Sequence, residues 1–165
     1  MGPPFSVRCS ASHPWSVSLQ RLLSPRYAMP KVTITRRLAF SAAHRVHNPA
    51  LSDAENARLF GKCNNPNWHG HNYTLEVSVQ GEIDPTTGYV MDLGYLRDLV
   101  RREVVDRMDH ANLNLDVDFL QGVIPTAENI AVAIWRILEP ALRPARLRRI
   151  RLWESENNWV EYEGE

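Results

Sequence analysis

The sequence predicts an α+β protein whose elements follow the order ββααββ. Residues 73–80 alternate between apolar and polar side chains, which is the pattern of a strand with one buried face. Two longer segments, 92–108 and 126–140, instead repeat apolar residues at helical spacing. We expect both pairs of strands to be antiparallel, with the two helices bridging them on one face.

The remaining elements are assigned from alternation, caps and breakers. Residues 31–40 read as the first strand, and residues 46–61 are interpreted as a long irregular loop. Asp92 and Thr126 are the predicted N-caps of the two helices, and Pro140 is expected to stop the second one. Residues 146–154 and 159–162 are predicted as the closing strands.

Two regions differ in composition. Residues 1–30 contain three arginines, many serines and five prolines, and the first acidic residue of the chain is Asp53. We predict a disordered tail or a transit-like segment there, followed by one folded domain over residues 31–165. The cytoplasm is the expected compartment, with mitochondrial targeting by the tail as the alternative.

The overall composition excludes several classes of protein. Nineteen basic residues balance nineteen acidic ones, so the chain lacks the excess positive charge of a nucleic-acid-binding protein. No apolar run is long enough to span a membrane. With two cysteines, Cys9 and Cys63, we expect no disulfide framework.

A His-Gly-His motif opens the second strand. Because side chains alternate along a strand, His69 and His71 should point to one side. A catalytic zinc ion commonly has three protein ligands and one open position. His44, His47 and His110 are the candidates for the third ligand, while a chance pair of histidines on an exposed strand is the alternative.

A cysteine and an acid–base pair flank this motif in sequence. Cys63 precedes His69 by six residues, and it is interpreted as a base or nucleophile or, alternatively, as a buried structural cysteine. The adjacent Asp109 and His110 suit a proton relay. Their alternative is a helix C-terminus, where histidine is favoured by the helix dipole.

Glu154 is predicted to point inward beside Ile150 and Leu152. A buried carboxylate needs a partner, and a ring with two parallel N–H donors, such as guanine or a pterin, would satisfy it. An ion pair with Arg148 is the alternative. Glu128 fits the acidic first turn of the second helix.

Taken together, these motifs resemble the 6-pyruvoyltetrahydropterin synthase family over about residues 32–165. The run FGKCNNPNWHGHNY at residues 60–73 carries most of the resemblance, with support from residues 40–45, 109–113, 126–129 and 154–158. Five residues separate Cys63 from His69, as in biopterin-pathway members, whereas bacterial 6-carboxytetrahydropterin synthases typically have three. Trp68 departs from the pattern, since the family commonly has a small residue there.

The resemblance implies a tunnelling fold, in which each subunit contributes a four-stranded antiparallel sheet with two helices on one face. Three subunits would close a barrel, and two trimers would stack as a homohexamer. Active sites would then lie between subunits, so that Cys63 and the Asp109–His110 pair come from different chains.

The resemblance also implies a zinc-dependent lyase that converts 7,8-dihydroneopterin triphosphate to 6-pyruvoyltetrahydropterin with release of triphosphate. It assigns Zn²⁺ to His44, His69 and His71, catalysis to Cys63, Asp109 and His110, and substrate binding to Glu154, Thr126 and Glu128. Arg45 and Lys62 are the candidates for the triphosphate. A 6-carboxytetrahydropterin synthase and a non-catalytic zinc-stabilised pterin-binding module are the alternative functions.

Overall fold

A computed structural model describes residues 29–143 and 145–164. The predicted tail, residues 1–30, lies outside this part of the chain apart from Met29 and Pro30, and so does Cys9. The first strand begins at Lys31, where the sequence places the start of the folded domain.

The described residues form an α+β architecture, as predicted, but their sheet has five strands instead of four. Their order across the sheet is β3-β1-β2-β4-β5. Their bounds are β1 Lys31–His44, β2 His69–Glu82, β3 Ala111–Asn112, β4 Arg146–Trp153 and β5 Trp159–Tyr162. The pairs β1–β2, β2–β4 and β4–β5 are antiparallel.

The additional strand, β3, is short and runs parallel to β1. It pairs with Ala42 and Ala43 on the outer edge of that strand. The N–H of His110 donates to the carbonyl of Ser41 at 2.6 Å, and the N–H of Leu113 donates to that of Ala43 at 2.8 Å. Unpaired backbone groups at a sheet edge readily accept such a segment, and two residues carry too little alternation to be recognised in the sequence.

The segment 46–61 also departs from its interpretation as a loop, because α1 spans Asp53–Phe60. Ser52 and Glu55 form a reciprocal capping box at its start. Its one buried residue is Asn56, whose amide exchanges hydrogen bonds with the backbone of Asn48. Because α1 has no apolar stripe, the spacing of apolar residues does not predict it, although its Ser-x-x-Glu capping motif is present in the sequence.

The two predicted helices are present. The first runs through α2 (Leu93–Val100), a π-helical turn (Arg101–Val105) and α3 (Asp106–Met108), with Asp92 as N-cap. The second, α4 (Ala127–Ala141), has Thr126 as N-cap. Pro140 does not stop α4 but lies inside its last turn, one residue before the end. Single turns of 3₁₀-helix occupy Gly61–Asn64 and Asp118–Leu120.

The core lies between the sheet and these helices. Alternate residues of β1, β2 and β4 pack against the apolar faces of the α2–α3 segment and of α4, forming a single cluster of buried side chains. β1 and β2 pair along their full length, from Lys31 opposite Glu82 to His44 opposite His69. This register brings the polar end of each strand to the same corner of the sheet.

Within the described residues, no helix combines the length and apolar character needed to cross a membrane.

Candidate metal centre and adjoining clefts

Three histidines meet where β1 ends and β2 begins. His44 is opposite His69 in the ladder, and His71 is opposite Ala42 on the same face two residues along. One ring nitrogen from each of the three lies within 4.8 Å of the others. Of the three candidates for a third ligand, the structure therefore selects His44.

The orientation of His44 is set by a backbone carbonyl. Its side chain is buried, and its Nδ1 lies 2.8 Å from the carbonyl oxygen of Pro125. A carbonyl only accepts, so Nδ1 carries the proton and Nε2 presents a lone pair to the cluster. Pro125, which lies just before α4, thus fixes the tautomer of His44, although the two residues are 81 positions apart in sequence.

The cluster leaves several buried nitrogens without partners. Among the described residues, Nε2 of His44, Nε2 of His71 and both ring nitrogens of His69 make no hydrogen bond. Buried polar atoms are normally satisfied, since leaving one unpaired costs about 1–3 kcal/mol. A bound metal ion would satisfy these nitrogens together, so the donor set fits a metal centre.

The pKa values of His44 and His69 are both lowered, which favours the neutral form that a metal requires. Burial lowers the pKa of His44, and the neighbouring His69 and His71 lower it further against the opposing effects of the Pro125 carbonyl and Glu154. Burial and the proximity of His71 likewise lower the pKa of His69. Neutral imidazole is the ligating form, so the site is prepared for a cation.

Glu154 lies immediately after β4 and reaches the same cluster. Its Oε1 is 3.6 Å from Nε2 of His44 and 3.8 Å from Nε2 of His71. The alternative pairing with Arg148 is wrong. A β-bulge beside Ser78 turns Arg148 to the exposed side of the strand, where it contacts Glu163 at 3.7 Å.

Two clefts adjoin the metal centre and share Cys63. The larger, of about 920 Å³, is lined by His69, His71 and Cys63 together with the basic residues Arg45 and Lys62. The second, of about 630 Å³, is lined by Cys63 and by the three predicted substrate-binding residues, Thr126, Glu128 and Glu154. Cys63 is exposed and free, so the interpretation as a buried structural cysteine is wrong.

A hydrogen-bond network fastens the Cys63 loop to the end of β1. The Nε–H of Arg45 donates to both the carbonyl and the side-chain oxygen of Asn64, each at 3.0 Å, and the N–H of Val46 donates to the carbonyl of Cys63 at 2.9 Å. Asn64 is buried, and its Oδ1 also lies 3.0 Å from Nδ1 of His47. His47 therefore contacts Asn64, and Asn64 holds the Cys63 loop. Neither contact could be predicted from the spacing of these residues in the sequence.

Asp109 and His110 contact each other but lie apart from Cys63 within one chain. The carboxylate of Asp109 accepts from the N–H of Ser41 at 2.8 Å and lies 3.1 Å from Nδ1 of His110. These contacts lower the pKa of Asp109, with the Ser41 hydrogen bond as the main cause. Neither residue of the pair lines the two clefts that contain Cys63. His110 instead lines a third cleft, of about 560 Å³, which His71 also lines.

Two residues near the histidines adopt left-handed backbone conformations, His110 at φ 60° and Trp68 at φ 66°. Such conformations are strained for residues other than glycine and often mark functional sites. The conformation at Trp68 is one that glycine would adopt without strain.

Tyr73 is a further residue of the site that sequence reasoning assigned only to the core. It is fully buried, its ring packs edge-on against His71, and its hydroxyl makes no hydrogen bond among the described residues. Burial, with contributions from Glu154 and Cys63, raises the pKa of this hydroxyl well above its ordinary value. The strand parity predicted that Tyr73 points inward, but not that its hydroxyl lies unpaired beside the metal centre.

Fold and site together define a class: an α+β protein with three clustered histidines that could hold a metal ion and a free thiol in the adjoining cleft. The chain matches the family model described as 6-pyruvoyl tetrahydropterin synthase over residues 33–165. It is 48% identical over 132 residues to the 6-pyruvoyl tetrahydrobiopterin synthase of Homo sapiens, covering 80% of this chain and 91% of that protein. The protein of the same name from Drosophila melanogaster is 43% identical over 136 residues, covering 82% of this chain and 81% of its own.

A solved structure agrees with these sequence matches. The 6-pyruvoyl tetrahydropterin synthase of Caenorhabditis elegans superposes with a TM-score of 0.79 at 44% identity, covering 84% of this chain and 99% of that one. The chain therefore belongs to the 6-pyruvoyl tetrahydropterin synthase family, and the resemblance found in its motifs is confirmed.

Proposed function

We propose that this chain is a zinc-dependent lyase that converts 7,8-dihydroneopterin triphosphate to 6-pyruvoyltetrahydropterin and releases triphosphate. The observation that carries the proposal is the shared cleft, in which Cys63 lies beside His69 and His71 and next to the cleft of Glu154. Membership of the family and the names of the relatives above support the same activity.

His44, His69 and His71 would hold the zinc ion, since three neutral imidazoles are a common ligand set of catalytic zinc. When bound, zinc supplies Lewis acidity, which polarises substrate oxygen atoms and acidifies neighbouring C–H bonds. The carbonyl of Pro125 keeps His44 in the ligating tautomer.

Cys63 is proposed to remove and return protons on the substrate side chain as a thiolate. Its exposure in the cleft leaves it accessible to substrate, and the Arg45–Asn64 hydrogen bonds fix its loop. Asp109 and His110 would relay protons to or from a side-chain oxygen. The 3.1 Å contact between them orients the imidazole for that role.

The pterin ring is proposed to bind in the smaller cleft. Glu154 offers a carboxylate to the two N–H donors of the ring, with Thr126 and Glu128 lining the same cleft. A charged acceptor facing two donors gives a hydrogen-bonded pair that is both stronger and more directional than a neutral one.

A homohexamer built from two trimers would bring the separated groups together. Asp109 and His110 of one subunit would then complete the cleft that contains Cys63 of its neighbour. Two features of the sheet support such assembly: β5 forms an edge of only four residues, and β3 covers only two residues of the long outer edge of β1. The cytoplasm is the proposed compartment.

Mass spectrometry of the products tests the activity. Purified protein incubated with 7,8-dihydroneopterin triphosphate should yield 6-pyruvoyltetrahydropterin and free triphosphate. A 6-carboxytetrahydropterin product would point to the other branch of the family, and bound but unchanged substrate would point to a non-catalytic pterin-binding module.

A further inference from the structure

At the metal centre, the Glu154 carboxylate faces an unprotonated ring nitrogen of His44. Nδ1 of His44 donates to Pro125, so its Nε2 presents a lone pair to Oε1 of Glu154 at 3.6 Å. The same oxygen lies 3.8 Å from Nε2 of His71, which has no hydrogen-bond partner among the described residues. A carboxylate facing the lone pair of His44 is unfavourable unless a cation lies between them.

The two separations between Glu154 and the histidines are close to those expected around a shared cation. In tetrahedral zinc sites the bonds are about 2.0–2.2 Å long, so neighbouring ligand atoms lie roughly 3.3–3.6 Å apart. The two distances from Glu154 are close to this range, and the three histidine nitrogens lie within 4.8 Å of one another. Within the described ranges, Glu154 is the carboxylate that comes within 4.0 Å of a ring nitrogen of His44, His69 or His71.

We infer that Glu154 is a fourth ligand of the metal centre in the substrate-free enzyme. One carboxylate then has two positions: it closes the metal centre when the cleft is empty and turns to the pterin ring when substrate binds. Binding of the ring would thereby free one position on the metal for the substrate side chain. The substrate half of this inference rests on the proposed function, whereas the metal half rests on the geometry alone.

The metal half is tested by zinc affinity. Glu154→Gln keeps the shape of the side chain but removes its charge. Zinc should therefore bind to this variant at least about tenfold more weakly, which is the scale found even for residues outside the ligand shell. Competition with a chromophoric chelator measures the zinc affinity. Glu156→Gln is the matched control, because Glu156 is an exposed acid two residues along the same hairpin. It should bind zinc like the wild type.

Cobalt substitution reports the ligand directly. The visible spectrum of the Co²⁺-loaded protein should differ between wild type and Glu154→Gln, and adding pterin should shift the wild-type spectrum but not that of the variant. Circular dichroism checks that the variant is folded. If it is not, Glu154→Asp, which shortens the side chain by one methylene, should still fold and show weaker zinc binding with an altered cobalt spectrum.

Equal zinc affinity and identical cobalt spectra in wild type and variant would overturn the inference. A raised KM in that same variant would leave Glu154 as a pterin ligand and the proposed function intact. Conversely, a wild-type protein that releases no triphosphate would refute the proposed function without touching the metal result.

Discussion

Replacing Asn64 by leucine is expected to slow turnover while leaving the metal centre loaded. Asn64 accepts the Nε–H of Arg45 through its side chain and through its own carbonyl, and it lies directly after Cys63. Leucine has a similar volume but offers no side-chain oxygen. The loop would then keep only its backbone hydrogen bonds to the end of β1, and Cys63 would spend less time in the reactive position.

The size of the effect follows from the lost hydrogen bond. A bond from a charged donor contributes about 1.5–3 kcal/mol, and partial exposure of Arg45 reduces this to roughly 1–2 kcal/mol. Since 1.4 kcal/mol corresponds to about a tenfold change in population, kcat should fall by about 5–30-fold. Binding of the pterin ring should change little, because the smaller cleft assigned to the ring is not lined by Asn64.

Steady-state kinetics and zinc content are measured for three variants. Asn64→Asp retains an oxygen that accepts from Arg45 and should recover most of the turnover. Asn67→Leu, an exposed position in the same loop, is the control and should resemble the wild type. Wild-type kcat in Asn64→Leu, or zinc loss in that variant, would show that Asn64 does not act by positioning Cys63.

Three further predictions concern Cys63, Trp68 and two histidines of the candidate metal centre, His44 and His69. Cys63→Ala should retain zinc and bind the pterin while kcat falls by about 10²–10⁴-fold, the usual contribution of a positioned base; near-normal turnover would assign the proton transfer to another group. The free energy of unfolding in urea should be about 1 kcal/mol higher for Trp68→Gly than for Trp68→Ala. Both variants lack the indole, and only alanine is strained at φ 66°. Equal stability of the two variants, or the reverse order, would refute the strain. The pKa values of His44 and His69 are lowered in the folded state, so the unfolded chain binds more protons near and below the ordinary pKa of about 6.5. The metal-free protein should therefore lose stability as the pH falls from 7.5 to 5.5, which urea unfolding at the two pH values measures. Unchanged or higher stability at pH 5.5 would contradict the prediction.

The sequence by itself determined the elements and most of the donor set. A period of two placed His69 and His71 on one face, and the capping residues Asp92 and Thr126 located the two long helices. These features depend on local backbone geometry, which neighbouring residues dictate. The same locality explains two errors, since α1 has no apolar stripe and β3 is only two residues long.

Tertiary structure decided which groups meet. The β1–β2 register selected His44 over His47 and His110, and a bulge turned Arg148 away from Glu154. Pro125 fixed the tautomer of His44 from a distant turn. Such pairings depend on strand register and on packing between segments far apart in sequence. Spacing along the chain therefore indicates which chemical groups are available, and only the folded sheet determines which of them meet.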